Sequence, residues 1–150
     1  MAKKFSFRLE PLLSLRSHKV KEAKEELAKV INKRTLKEDE ISEQNEYFNG
    51  LLKSRKGKIS ITELQADYHH KSFVKDEIGK LEYQKEQLLE IEQVHRLKLT
   101  DAMKDEKILE KLKEKQKQYH AEALEKEETK QMDEIAITRH GNENNLRIDI

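Results

Sequence analysis

Val20-Lys21-Glu22-Ala23-Lys24-Glu25-Glu26-Leu27-Ala28-Lys29-Val30 is the stretch that decides the fold. Apolar side chains return at 20, 23, 27 and 30, in steps of three and four, and every other residue but Ala28 is charged. Such spacing places one apolar stripe along a helix and leaves the remaining faces to water. Extended in both directions, the ladder runs through 9, 13, 16, 20, 23, 27, 30, 34, 37, 41, 44, 48 and 51. Nine of these thirteen positions are apolar; Arg16, Arg34, Lys37 and Gln44 interrupt it. A seam repeating every 3.5 residues is that of a coiled coil.

Breaks in the pattern are few. The chain holds one proline and four glycines in 150 residues. Pro11 suits a first helical turn, where its missing N–H has no helical partner, so helix 1 is expected from about 10 to 55. Gly57, preceded by Arg55 and Lys56, marks a turn at about 56–60, because glycine takes the left-handed conformation that ends a helix. Ser60 with Glu63, or Thr62 with Gln65, offers a capping box for helix 2, expected over about 61–139. Its seam reads as Ile61, Leu64, Tyr68 and Ile78, slips in phase near Gly79, and resumes through Leu81, Leu88, Ile91, Ala102, Leu109, Leu112, Tyr119 and Ala123. Gly141 and Asn142 are expected to stop it, leaving 141–150 as a flexible tail.

The expected fold is all-α: two long helices in an antiparallel coiled-coil hairpin forming a single domain over 1–150, with helix 2 longer than helix 1. At about 1.5 Å per residue the helices would span about 68 Å and 118 Å. A turn centred near residue 58 pairs positions whose numbers total about 117, so Leu27 and Val30 would face the region of Ile91 and Leu88. Helix 2 would then project beyond about residue 108 without a partner.

Composition agrees with a thin core. Charged residues make up 41% of the chain and the hydrophobic class 35%, with 31 basic and 30 acidic side chains giving a net charge of +1. The signs are interleaved, as on a solvated helix surface. That disfavours nucleic acid, which calls for a basic face to displace phosphate counterions, and a polybasic membrane segment. There is no cysteine, and no apolar run approaches the roughly 20 residues that span a bilayer. Met1–Arg8 lacks the apolar stretch of a secretory signal, so a cytoplasmic location is expected, with no direct membrane insertion.

Catalytic, cofactor and metal motifs fail on spacing. None of the six histidines forms a His-x-x-x-His pair. Gly57-Lys58 resembles the end of a phosphate loop, but Gly50 lies too far upstream and Ile59 stands where Ser or Thr is needed. Carboxylate pairs such as Glu25-Glu26 sit on solvated faces, where nothing tunes one for acid catalysis. No enzyme activity and no cofactor are expected. Two regions look instead like interfaces. At the turn end, four of the eight aromatics, Tyr47, Phe48, Tyr68 and Phe73, converge with Gln44. Phe48 and Tyr68 fall on the seam, whereas Tyr47 and Phe73 fall off it and should be partly exposed. At the other end, the projecting arm keeps Leu112, Tyr119, Leu124, Met132 and Ile135.

Two stretches carry a family resemblance. Phe5-Ser6-Phe7-Arg8-Leu9-Glu10-Pro11-Leu12-Leu13-Ser14-Leu15-Arg16 opens the chain, and Leu109-Glu110-Lys111-Leu112 is followed by Tyr119, Met132-Asp133-Glu134-Ile135-Ala136 and Arg139. Both resemble FliJ, the small coiled-coil component of the bacterial flagellar type III export apparatus. The resemblance implies a stalk-like, non-enzymatic protein that couples the ring of the export ATPase FliI, with its regulator FliH, to the cytoplasmic domain of the gate protein FlhA. It also implies handling of export chaperones and a place at the cytoplasmic face of the membrane. On that reading the turn-end group would dock on the gate and the projecting arm on the ATPase. An injectisome stalk homologue and a generic coiled-coil spacer share the periodicity. A rotary-ATPase stalk would need a globular domain between its helices, for which the short turn leaves no room.

Overall fold

The computed structural model describes residues 4–53, 57 and 59–148, the last four by backbone alone. Among them are two helices, α1 over Glu10–Lys53 and α2 over Ile61–Ile148, and no strand. Residues 54 and 55 of expected helix 1, 56 and 58 of the expected turn, and 149 and 150 of the expected tail lie outside the described residues.

Each helix starts where its sequence provides for the first turn. The Leu9 carbonyl accepts from the Leu13 N–H at 2.9 Å, and the Glu10 N–H donates to the Phe7 carbonyl at 3.1 Å. Pro11 follows inside that turn, and the carboxylate of Glu10 sits at the positive end of the helix dipole. At α2, Ser60 is the cap. Its side-chain oxygen accepts from the Glu63 N–H at 3.2 Å and its carbonyl from the Leu64 N–H at 3.0 Å. Of the two capping boxes offered by the sequence, the structure therefore uses the Ser60/Glu63 position. Gly57 has φ +115°, in the region that glycine alone enters at little cost.

The chain divides into two compact units. In the unit His18–Met103, α1 and α2 run antiparallel and bury Val20, Leu27 and Val30 of α1 with Val74 and Ile78 of α2. In the unit formed by Met1–Ser17 and Lys104–Ile150, the packing is again antiparallel: Glu10 meets Lys113 at 2.8 Å, and Arg16 donates to the Asp105 carbonyl at 2.9 Å. Phe7, Leu13 and Leu109 form a buried cluster there, with Phe5 and Leu9 packed against it. The Phe5 ring lies 5.7 Å from that of His120.

All thirteen ladder positions of α1 are buried or half-buried, the four polar ones included. The stripe on α2 differs from expectation. It runs without a slip through 67, 71, 74, 78, 81, 85, 88, 92, 95, 99, 102, 106, 109 and 113. Ile61, Leu64, Tyr68, Ile91, Leu112 and Tyr119, all expected on the seam, are exposed. At 92 and 113 the seam takes the residue after an apolar one, so Glu92 is buried where Ile91 was expected and Lys113 is half-buried beside exposed Leu112. The reason is the common stripe: Val74, Ile78, Leu81, Leu88, Leu99, Ala102 and Leu109 all lie on it, and a helix has one rotation against its neighbour. Glu92 and Lys113 then meet Arg34 and Glu10 across the seam, and lone apolar residues on a rim lose little by staying half in water.

The pairing rule is corrected with the seam. Tyr47 meets His70 as the rule has it, but Arg34 meets Glu92 rather than residue 83, and Glu10 meets Lys113 rather than residue 107. Residues 4–9 then extend cover along α2, so the part of α2 near 108–120 is not the bare arm expected; Leu109 is core. The expected stop at Gly141 is also overturned. The helix runs to Ile148, since one glycine costs a helix only about 1 kcal/mol relative to alanine.

Candidate functional site

At the turn end of the unit His18–Met103, the seam geometry sorts the expected interface residues into three groups. Gln44 and Phe48 are half-buried seam residues. Tyr68 follows the seam residue Asp67 and is exposed on one flank. His70 precedes the seam residue Lys71 and lies on the opposite flank, because successive side chains step by 100° around a helix. Phe73, 61% exposed, is on the His70 flank and further from the seam.

Tyr47 of α1 reaches that same flank. Its hydroxyl is 2.8 Å from His70 Nε2, and the two rings meet edge-on with centroids 5.9 Å apart at 83°. The Tyr47 ring remains 49% exposed. On the other flank Tyr68 lies edge-on to its neighbour His69 at 6.0 Å. The structure thus joins Tyr47 to His70, places Phe73 on the same flank of α2 as His70, and puts Tyr68 on the other flank. His70 was passed over in the sequence as one of several helix histidines; its offset by one from the seam was the signal, and it is visible only once the seam is known.

The expected ATPase-facing residues lie in the other unit. Leu112, Tyr119, Met132 and Ile135 are exposed, and Leu124 is half-buried. From residue 125 to 144 every described residue is exposed. A helix this polar, with isolated Met132, Ile135 and Ile137 on its surface, presents material for a partner and no enclosed space.

Further from the turn, one charged network crosses the seam. The Glu92 carboxylate, 4% exposed, accepts from Arg34 Nε at 2.6 Å and from Arg96 at 2.7 and 3.2 Å, and Arg34 also reaches Glu38 at 2.7 Å. The Arg96 hydrogen bonds hold the Glu92 carboxyl below the usual carboxylate range; burial opposes this and Arg34 adds to it. Arg34 is in turn raised, first by Glu38 and then by Glu92. No buried side-chain nitrogen or oxygen among the described residues lacks a partner.

Among the described residues, open surface concavities such as that lined by Asp76, Gly79, Lys80 and Tyr83 follow single stretches of α2. No cluster of three His, Asp or Glu able to hold a metal occurs among the described residues. None of their helices is long and apolar enough to cross a membrane.

Comparison with known proteins gives one match. The sequence model of the family described as Flagellar FliJ protein matches residues 5–145. No curated protein and no solved structure matches.

Proposed function

We propose, from the premise that this chain belongs to the family of flagellar FliJ proteins, that it couples the flagellar export ATPase to the export gate as a stalk-like helical hairpin. The family is a component of the flagellar export machinery and is not a known enzyme family. The finer reading is ours. The turn end carries Tyr47 and Phe73 to the cytoplasmic domain of the gate protein FlhA. The distal part of α2, with Met132 and Ile135, meets the ring of FliI and its regulator FliH. Export chaperones are handled at the same apparatus, at the cytoplasmic face of the membrane. The flagellar match over 5–145 favours this over an injectisome stalk or a plain spacer.

The observation that supports gate docking most directly is the exposure of Tyr47 and Phe73, two aromatic rings at a hairpin end that also exposes Leu52, Ile61, Leu64 and Tyr68. Aromatic side chains on a rigid scaffold are frequent binding hot spots, each contributing about 2 kcal/mol or more when a partner buries them. The gate domain, captured on immobilised full-length protein, should bind the Tyr47→Ala/Phe73→Ala double variant at least tenfold more weakly, with helicity unchanged. Undiminished binding removes this end as the docking site. For the ATPase, deletion of 125–150 retains the Phe7–Leu109 and Phe5–His120 contacts and should abolish stimulation of ATP hydrolysis. A truncated chain that still stimulates places that contact elsewhere.

A further inference from the structure

We infer that His70 is a positioning residue for gate docking: it anchors the Tyr47 hydroxyl and so holds the Tyr47 ring in its docking orientation. This rests on the gate-docking reading above and adds a residue and a mode of recognition to it.

The argument starts from what a tyrosine on the flank of a helix does alone. It has two rotatable side-chain bonds and little to restrain them, and binding must first order it. Ordering an exposed, rotamer-rich side chain at an interface costs about 0.5–1.5 kcal/mol, or roughly 2- to 12-fold in affinity. Here the ordering is done in advance. His70 stands on the opposing helix, and its Nε2 is 2.8 Å from the Tyr47 oxygen. The edge-on ring contact at 5.9 Å fixes the tilt of the Tyr47 ring as well as the position of its oxygen. The pair spans the two helices, 23 residues apart in sequence, so it also ties the ring of α1 to the helix that carries Phe73.

The same contact determines what a partner can read. The hydroxyl is turned to His70, while Tyr47 as a whole stays 49% exposed and offers ring carbon. Phe73 on the same flank is 61% exposed and its side chain wholly apolar. The two rings suit an apolar depression on the gate domain.

The experiment is a double-mutant cycle on full-length protein, reading the dissociation constant for the purified gate cytoplasmic domain with helicity and melting in parallel. His70→Ala and Tyr47→Phe should each weaken binding about 2- to 12-fold, and combining them should weaken it no further. His70→Gln, which keeps a hydrogen-bonding group near the position of Nε2, should recover most of the affinity. In a Tyr47→Ala background His70→Ala should have no effect, which a general structural role would not produce. If Tyr47→Ala itself leaves binding intact, the docking reading falls and takes this inference with it. If Tyr47→Ala weakens binding while His70→Ala does not, the docking reading stands and the positioning role is overturned. Additive losses from Tyr47→Phe and His70→Ala overturn it as well, by showing that the hydroxyl and the imidazole act separately.

Discussion

Leu27→Ala tests the seam where α1 is most regular. Leu27 is 8% exposed, between Val20 and Val30 on the ladder. The substitution removes three carbon atoms from an almost dry position, at about 0.8 kcal/mol each. A two-helix seam is open to water on both flanks, so the gap collapses or hydrates and adds little cavity cost; the total is about 2.5 kcal/mol, at the low end for buried leucines. For a chain of this size each kcal/mol moves the melting midpoint by roughly 2–4 °C, giving a fall of about 5–10 °C by far-UV circular dichroism. Two controls give the experiment its force. Lys29→Ala removes only an exposed pair with Glu26 at 3.5 Å and should move the midpoint hardly at all. Ile91→Ala removes the same three carbon atoms, yet Ile91 is 45% exposed and off the observed seam, so it should cost well under half as much as Leu27→Ala. Equal losses for Ile91→Ala and Leu27→Ala would refute the observed register and restore the one read from apolar spacing.

The Glu92 network should respond to acid. Its carboxyl is held below the ordinary range when folded, so its stabilisation is present above the unfolded carboxylate value and is lost as pH falls through the depressed folded value; Glu92→Gln should flatten the acid limb of a urea-midpoint profile, and an unchanged limb would contradict the network's role. Phe7→Ala should cost about 3 kcal/mol by urea denaturation because the ring is buried against Leu13 and Leu109, whereas Phe73→Ala should cost almost nothing in stability. Ser60→Ala should lower stability by about 1 kcal/mol through loss of the bond to the Glu63 N–H, with Ser60→Asp recovering it.

Much of this architecture is written in local chemistry. The 3.5-residue ladder of helix 1 needs no partner to be recognised, because its period is a property of one helix, and all thirteen of its positions face inward in the structure. Pro11 and Ser60 mark helix starts for the same reason: the first turn of a helix leaves N–H groups unpaired wherever it occurs. The family resemblance, carried by residues at both ends of the chain, agrees with the match over 5–145. What apolar spacing could not decide was the seam of α2. There isoleucine or leucine often stands one residue before a charged side chain, at 91 and 92 and at 112 and 113, and the choice belongs to the opposing helix. Val74, Ile78, Leu81, Leu88, Leu99, Ala102 and Leu109 share one stripe against helix 1; that rotation turns Glu92 and Lys113 to Arg34 and Glu10 and determines which residues lie on each flank. The candidate docking site inherits this dependence. Tyr47 and Phe73 could be named as exposed aromatics from the sequence, but Tyr68 was expected on the seam rather than exposed on the other flank, and His70 could not be joined to Tyr47, until packing had set the rotation of α2. A side chain's position around its own helix follows from its number in the sequence; the direction that faces the neighbour is a property of the pair.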